Sequence, residues 1–91
     1  MAYQLFYHSD VAKHDLPGIP ANIKETIRRA IEQRLIEEPI LLGEPLRHSL
    51  KGHRKLRVGD YRIIYRISGR NIIILKIGHR KDVYAKIFQR F

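Results

Sequence analysis

The stretch KLRVGDYRIIYRI, residues 55–67, holds four cations, Lys55, Arg57, Arg62 and Arg66, with Asp60 as its one acid. Apolar residues occupy Leu56, Val58, Tyr61, Ile63, Tyr65 and Ile67. That pattern predicts two strands around a Gly59-Asp60 turn, with the cations on the opposite parity from the apolar set. Like charges on neighbouring strand positions repel, so gathering them on one face calls for an anionic ligand. Arginine grips phosphate with two parallel hydrogen bonds. Such a patch could also cleave RNA: a base removes the 2′-OH proton, and cations stabilise the charge that builds on phosphorus. Lys55, between His53 and Arg57 on the same face, is the candidate to take that proton, with His53 as the alternative base. His53, His79 and Tyr84 edge the patch.

Other chemistries find less support. The five histidines (8, 14, 48, 53 and 79) show no ligand spacing, and no acidic cluster suits magnesium. The chain contains no cysteine, which rules out a disulfide framework and a thiolate zinc site. There is no glycine-rich phosphate loop and no Ser-His-Asp arrangement. No cofactor is expected.

Around the patch, the elements follow from pattern. Residues 3–8 are short and aromatic-rich, reading as a first strand. Ser9 and Asp10 suit the start of a brief helical piece, Val11–Leu16, which Pro17-Gly18 ends. Pro20 opens a longer helix whose stripe, Ile23, Ile27, Ala30, Ile31 and Leu35, recurs at three and four residues, and Pro39 stops it. Residues 39–52 read as an ordered connection. Strands are expected over 54–58, 61–67 and 71–78, and Val83, Ile87 and Phe91, four apart, predict a short C-terminal helix. The expected fold is α+β: an N-terminal strand and two helices packed on one face of a largely antiparallel four-stranded sheet. A two-residue turn sets Arg57 opposite Arg62, Lys55 opposite Ile64 and His53 opposite Arg66. The register that keeps Lys76 out of the core also brings Gly78 and Arg80 to the face of Arg62.

Charge sharpens the expectation. Residues 1–46 carry five Lys/Arg and seven Asp/Glu, whereas residues 47–91 carry thirteen Lys/Arg against only Asp60 and Asp82. The whole excess of the +9 chain therefore lies in the half that holds the strands, as for a protein that meets nucleic acid or an acidic partner. With 44% hydrophobic and 30% charged residues, the 91-residue chain is expected to fold as a single domain, 1–91. No apolar run approaches the ~20 residues of a membrane span, and the N-terminus lacks a signal-peptide pattern. A cytoplasmic location away from membranes is expected.

The segments LKGHRKLRVGDYRIIYRI and ILKIGHRKDVY together closely resemble the RelE/ParE superfamily of toxin–antitoxin toxins, its RelE-like branch in particular. The resemblance spans nearly the whole chain, including the EPLRHSLKG approach. It implies a small ribosome-dependent endoribonuclease that cuts mRNA and is held inactive by a cognate antitoxin. Within it, the lysine of the KLR segment falls on Lys55, the arginine of YR on Arg62, the arginine of GxR on Arg80, and the downstream tyrosine on Tyr84. These four are the expected catalytic residues. His53, Arg57, Arg66, Lys76, His79 and Lys81 are the expected RNA contacts. RelE carries a second lysine where His53 stands, so a fixed cation is replaced by a group that titrates near neutrality. The ParE branch has the same fold but poisons DNA gyrase and lacks the catalytic set. An inactive toxin that only binds its antitoxin is a third alternative.

Overall fold

The computed structural model describes residues 3–46, 52–85 and 87–90. The strands are β1 (Gln4–Tyr7), β2 (Glu44–Pro45), β3 (His53–Val58), β4 (Tyr61–Ser68) and β5 (Asn71–His79), in the order β1-β5-β4-β3-β2. Two features correct the expected four-stranded sheet. β1 runs parallel to β5, from Gln4 opposite Asn71 to Tyr7 opposite Ile74. The two-residue strand β2 adds a fifth member, setting Glu44 against Lys55 and Pro45 against Arg54. Nothing in the periodicity of so short a strand could announce it, and its proline suits an edge.

The β3–β4–β5 meander follows the expected turns. Gly59 and Gly69 both sit at φ +60°, a conformation that costs glycine little. Between β4 and β5 the register shifts: Ile64 faces Lys76 but Tyr65 faces Ile74, leaving Leu75 as the extra residue of a bulge. The bulge lets Ile72, Ile74 and Ile77 share the helix side although their spacing changes from two to three.

The helical layer begins with a wide turn over Val11–Asp15 and a tight one over Leu16–Gly18. Helix α1 (Ala21–Ala30) continues through a widened turn, Ile31–Leu35, and the expected stripe is its buried side. Ile27, Ala30, Ile31 and Leu35 pack on Leu56, Ile63, Tyr65, Ile72, Ile74 and Ile77 of the sheet. A four-residue helix, α2 (Pro39–Leu42), lies in the connection. It is fixed by side chains from the sheet. The buried Tyr65 hydroxyl donates to Pro39 O at 2.6 Å, while Arg54 Nη2 donates to Ile40 O and Gly43 O, both at 2.7 Å. Any side chain at Gly43 would overlap the Tyr65 hydroxyl, so this close approach needs glycine.

The C-terminal segment also departs from expectation. In place of a helix running from Val83, turns lead to a four-residue 3-10 helix over Ile87–Arg90; Phe91 lies outside the described residues. The Ala85 carbonyl, which a helix would offer to residue 89, instead accepts from Lys76 Nζ. Arg90 then anchors the segment at the margin of β5. Its Nη1 and Nη2 donate to the Asp15 carboxylate at 2.6 and 3.0 Å, and Nη1 also donates to Leu75 O at 3.1 Å. Asp15 in turn accepts from Ile77 N–H at 2.9 Å. β1 stops pairing at Ile74, so Asp15 and Arg90 occupy strand-edge groups that a longer β1 would have paired.

Candidate active site

The sheet face away from α1 is built by the β3–β4 register. The structure sets His53 opposite Arg66, Lys55 opposite Ile64, and Arg57 opposite Arg62, as the two-residue turn requires. Side chains opposed in this way stand about 4.5–5.5 Å apart at Cβ. Lys55, Arg57 and Arg62 therefore form one cationic cluster beside the hairpin turn. Arg62 Nη1 donates to Gly59 O and Tyr61 O, both at 2.9 Å, which fixes its guanidinium at the turn. Arg57 faces solvent, and its closest acid is Glu44, at 3.9 Å.

A second turn supplies the remaining candidates. Arg80 N–H donates to Asp60 O at 2.8 Å, tying the turn after β5 to the tip of the hairpin. Arg80 and Lys81 are exposed there, and Tyr84 is 42% exposed. Gly78 faces Arg62 as the chosen register requires. The room that glycine leaves is taken from within: Val83 sits where a Cβ on Gly78 would meet it at 3.4 Å.

Four of the residues expected at RNA stand elsewhere. His53 is 2% exposed and thus out of reach of a phosphate in this conformation. His79 shares the helix side with Tyr61; their rings meet edge to face at 5.6 Å, and His79 Nδ1 accepts from Lys81 N–H. Lys76 shares the face of Arg62 but spends its ammonium on Ala85 O, and burial and the charge of Arg90 lower its pKa. Arg66 lies on the correct face but four residues along β4 from Arg62, about 13 Å away.

What separates Arg66 from the cluster is a small apolar island. Ile64, Val83 and Ile87 are buried together on this face, with Leu46 packed against them. The signal was present in the sequence: Ile64 falls on the parity of the cations, and a fully apolar side chain there needs a cover. Glu44 was missed because its place beside Arg57 depends on a two-residue strand. Among the described residues no three metal-ligating side chains converge, and no helix is long and apolar enough to cross a membrane.

Comparison with known proteins adds the family. The profile described as "ParE toxin of type II toxin-antitoxin system, parDE" matches residues 7–84. Toxin RelG of Mycobacterium tuberculosis is 35% identical over 77 residues, 82% of this chain and 88% of its own. The chain belongs to the RelE/ParE superfamily of type II toxin–antitoxin toxins. Toxin RelE of the same organism is 33% identical over 75 residues, covering 80% of this toxin and 77% of its relative. Among solved structures, the RelBE2 toxin–antitoxin complex of M. tuberculosis contains a chain that superposes with a TM-score of 0.80 at 30% identity, over 88% of this toxin and 100% of that chain. The RelB–RelE antitoxin–toxin complex of Methanococcus jannaschii gives 0.70 at 25% identity, over 94% and 98%.

Proposed function

We propose that this toxin is a ribosome-dependent endoribonuclease that cuts mRNA by metal-independent 2′-OH attack and is restrained by a cognate antitoxin. The observation that supports it is the pairing of Arg57 with Arg62 beside Lys55, with Arg80 delivered by the adjoining turn. In this reading Lys55 takes the proton from the 2′-OH, and the freed oxygen attacks the adjacent phosphorus. Arg62 stabilises the added negative charge of the phosphorane. The P–O5′ bond then breaks; Arg80 offers hydrogen bonds to the departing oxygen, which takes a proton from water, while Lys55 returns its own to solvent. The products are a 2′,3′-cyclic phosphate and a 5′-hydroxyl. Tyr84 orients the substrate, and Arg57 holds a neighbouring phosphate. Relatives named RelG and RelE support the nuclease reading, and the +9 charge suits a polyanionic ribosome. The RelB–RelE complexes support an antitoxin partner, for which an acidic or amphipathic segment lying on the cationic face is the complementary form.

A second reading follows from the matching family profile, whose description is that of a ParE toxin: inhibition of DNA gyrase without RNA chemistry. One set of assays separates the two. On translating ribosomes, Arg62→Ala is expected to lower single-turnover mRNA cleavage by roughly 10²–10³-fold, as for loss of an oxyanion donor. Arg57→Ala should weaken binding and flatten its salt dependence while leaving the saturated rate intact. Antitoxin should abolish cleavage, associating more slowly as salt rises. An Arg62→Ala variant that loses only affinity and keeps full single-turnover cleavage would remove the catalytic role assigned to Arg62. Intact mRNA together with blocked gyrase supercoiling would transfer the protein to the ParE reading.

A further inference from the structure

Helix α1 and the widened turn that continues it have two polar flanks, and they differ. On one, Arg28 bonds both Glu25 and Glu32, at 2.5 and 2.8 Å, a chain of charges that satisfies itself. The other flank, carrying Thr26, Arg29, Gln33 and Arg34, faces β3 across an open groove of about 540 Å³. The opposite wall is the edge of β3 with Lys55 and Arg57, where β2 pairs only as far as Lys55 and leaves the strand beyond it uncovered. Four cations thus line the groove against one carboxylate, Glu44. Arg29 reaches back to Glu25 at 3.3 Å.

We infer that this groove is a binding site for single-stranded RNA, taking the sugar-phosphate backbone that runs on from the cleavage site over the β3 edge. Lys55 and Arg57 stand on the ridge between the two surfaces, belonging to the catalytic face by register and to the groove by position. A strand with its scissile bond at Lys55 meets Arg34 and Arg29 next on crossing that ridge. A cationic trough that tracks the backbone is the form taken by sites that bind single strands without reading sequence. The inference rests on the nuclease reading for which strand is bound; the existence of the groove site does not.

The test uses fluorescence anisotropy with a 12-nucleotide 2′-O-methyl RNA, which cannot be cleaved, and a 4-nucleotide one that spans only the sheet face. Each phosphate contact to a single strand contributes about −0.7 to the slope of log affinity against log salt. Losing two contacts in Arg29→Ala/Arg34→Ala should therefore remove about 1.4 from that slope. Between 50 and 200 mM salt the wild type's affinity for the 12-mer should then fall about sevenfold further than the variant's. Binding of the 4-mer should not change. Arg28→Ala, on the self-satisfied flank, is the control, and Gln33→Glu, which sets a carboxylate in the groove, should weaken 12-mer binding without removing either arginine. Equal slopes for wild type and double variant, or wild type that binds a poly-glutamate peptide in preference to the 12-mer, would overturn the groove assignment. Wild type that cuts no mRNA but shows the slope difference would sink the nuclease reading and leave the groove standing.

Discussion

The two faces of the sheet are built on different principles, and Ile63 and Ile64 show it most directly. They are neighbours in β4, both 0% exposed, yet they point in opposite directions. Ile63 enters a continuous core shared with α1, the segment after it and four strands. Ile64 enters an island whose other buried members are Val83 and Ile87. On the helix side, apolar area holds the structure together. On the other side a thin cover is held by polar clamps, Lys76 to Ala85 and Arg90 to Asp15, with cations left around it. A face that must present charge to an anion cannot also carry a large core, so its cover is small and its anchors are electrostatic.

That contrast predicts unequal costs. Ile63→Ala should destabilise by about 4 kcal/mol, since the crowded core around it cannot collapse into the cavity. Ile64→Ala should cost only about 2 kcal/mol, because the overlying segment can settle into the gap. Chemical denaturation measures both; equal costs would mean that the island is as rigid as the core. Next comes the clamp. Arg90→Ala leaves Asp15, only 6% exposed at its side chain, without its cation, and removal of one buried partner costs about 3 kcal/mol. Hydrogen exchange should show the loss concentrated at Val83–Ala85 and along β5, and uniform loss across α1 would contradict a local clamp.

The smallest effect lies on the helix side. Tyr65→Phe leaves Pro39 O without its donor, a cost of about 1–2 kcal/mol at neutral pH. Burial raises the Tyr65 phenol above its ordinary value of 10.0, an effect that the nearby Arg54 offsets in part. The folded state therefore resists ionisation more than the unfolded chain does. Stability from this group is complete below about pH 10 and is lost as pH rises through the raised value. The difference between wild type and Tyr65→Phe, read by denaturant titration, should be constant to pH 9 and narrow above 10. A difference that widens there would mean that Arg54 outweighs burial.

Most of the candidate site was legible before the structure. Arg57 opposite Arg62 and Lys55 opposite Ile64 follow from a two-residue turn at Gly59-Asp60 and the alternation of side chains, both local rules. The long helix was legible from its stripe, and the separation of charge from the first half of the chain was plain arithmetic. The C-terminal segment was misread because Val83 and Ile87 have helical spacing, and a stripe of two or three residues fits any conformation that can bury them. Lys76 claims the Ala85 carbonyl, and the island claims the side chains.

Sequence by itself thus determined the hairpin, its register, the buried stripe of the helix and the sign of the charged face, because each depends on residues close in the chain. Tertiary structure alone decided that β1 lies parallel to β5, that Glu44 comes to Arg57, that His53 is buried, and that an apolar island parts Arg66 from Arg62. Those outcomes join residues far apart in sequence, and they are selected by which surfaces remain uncovered once the local elements have formed.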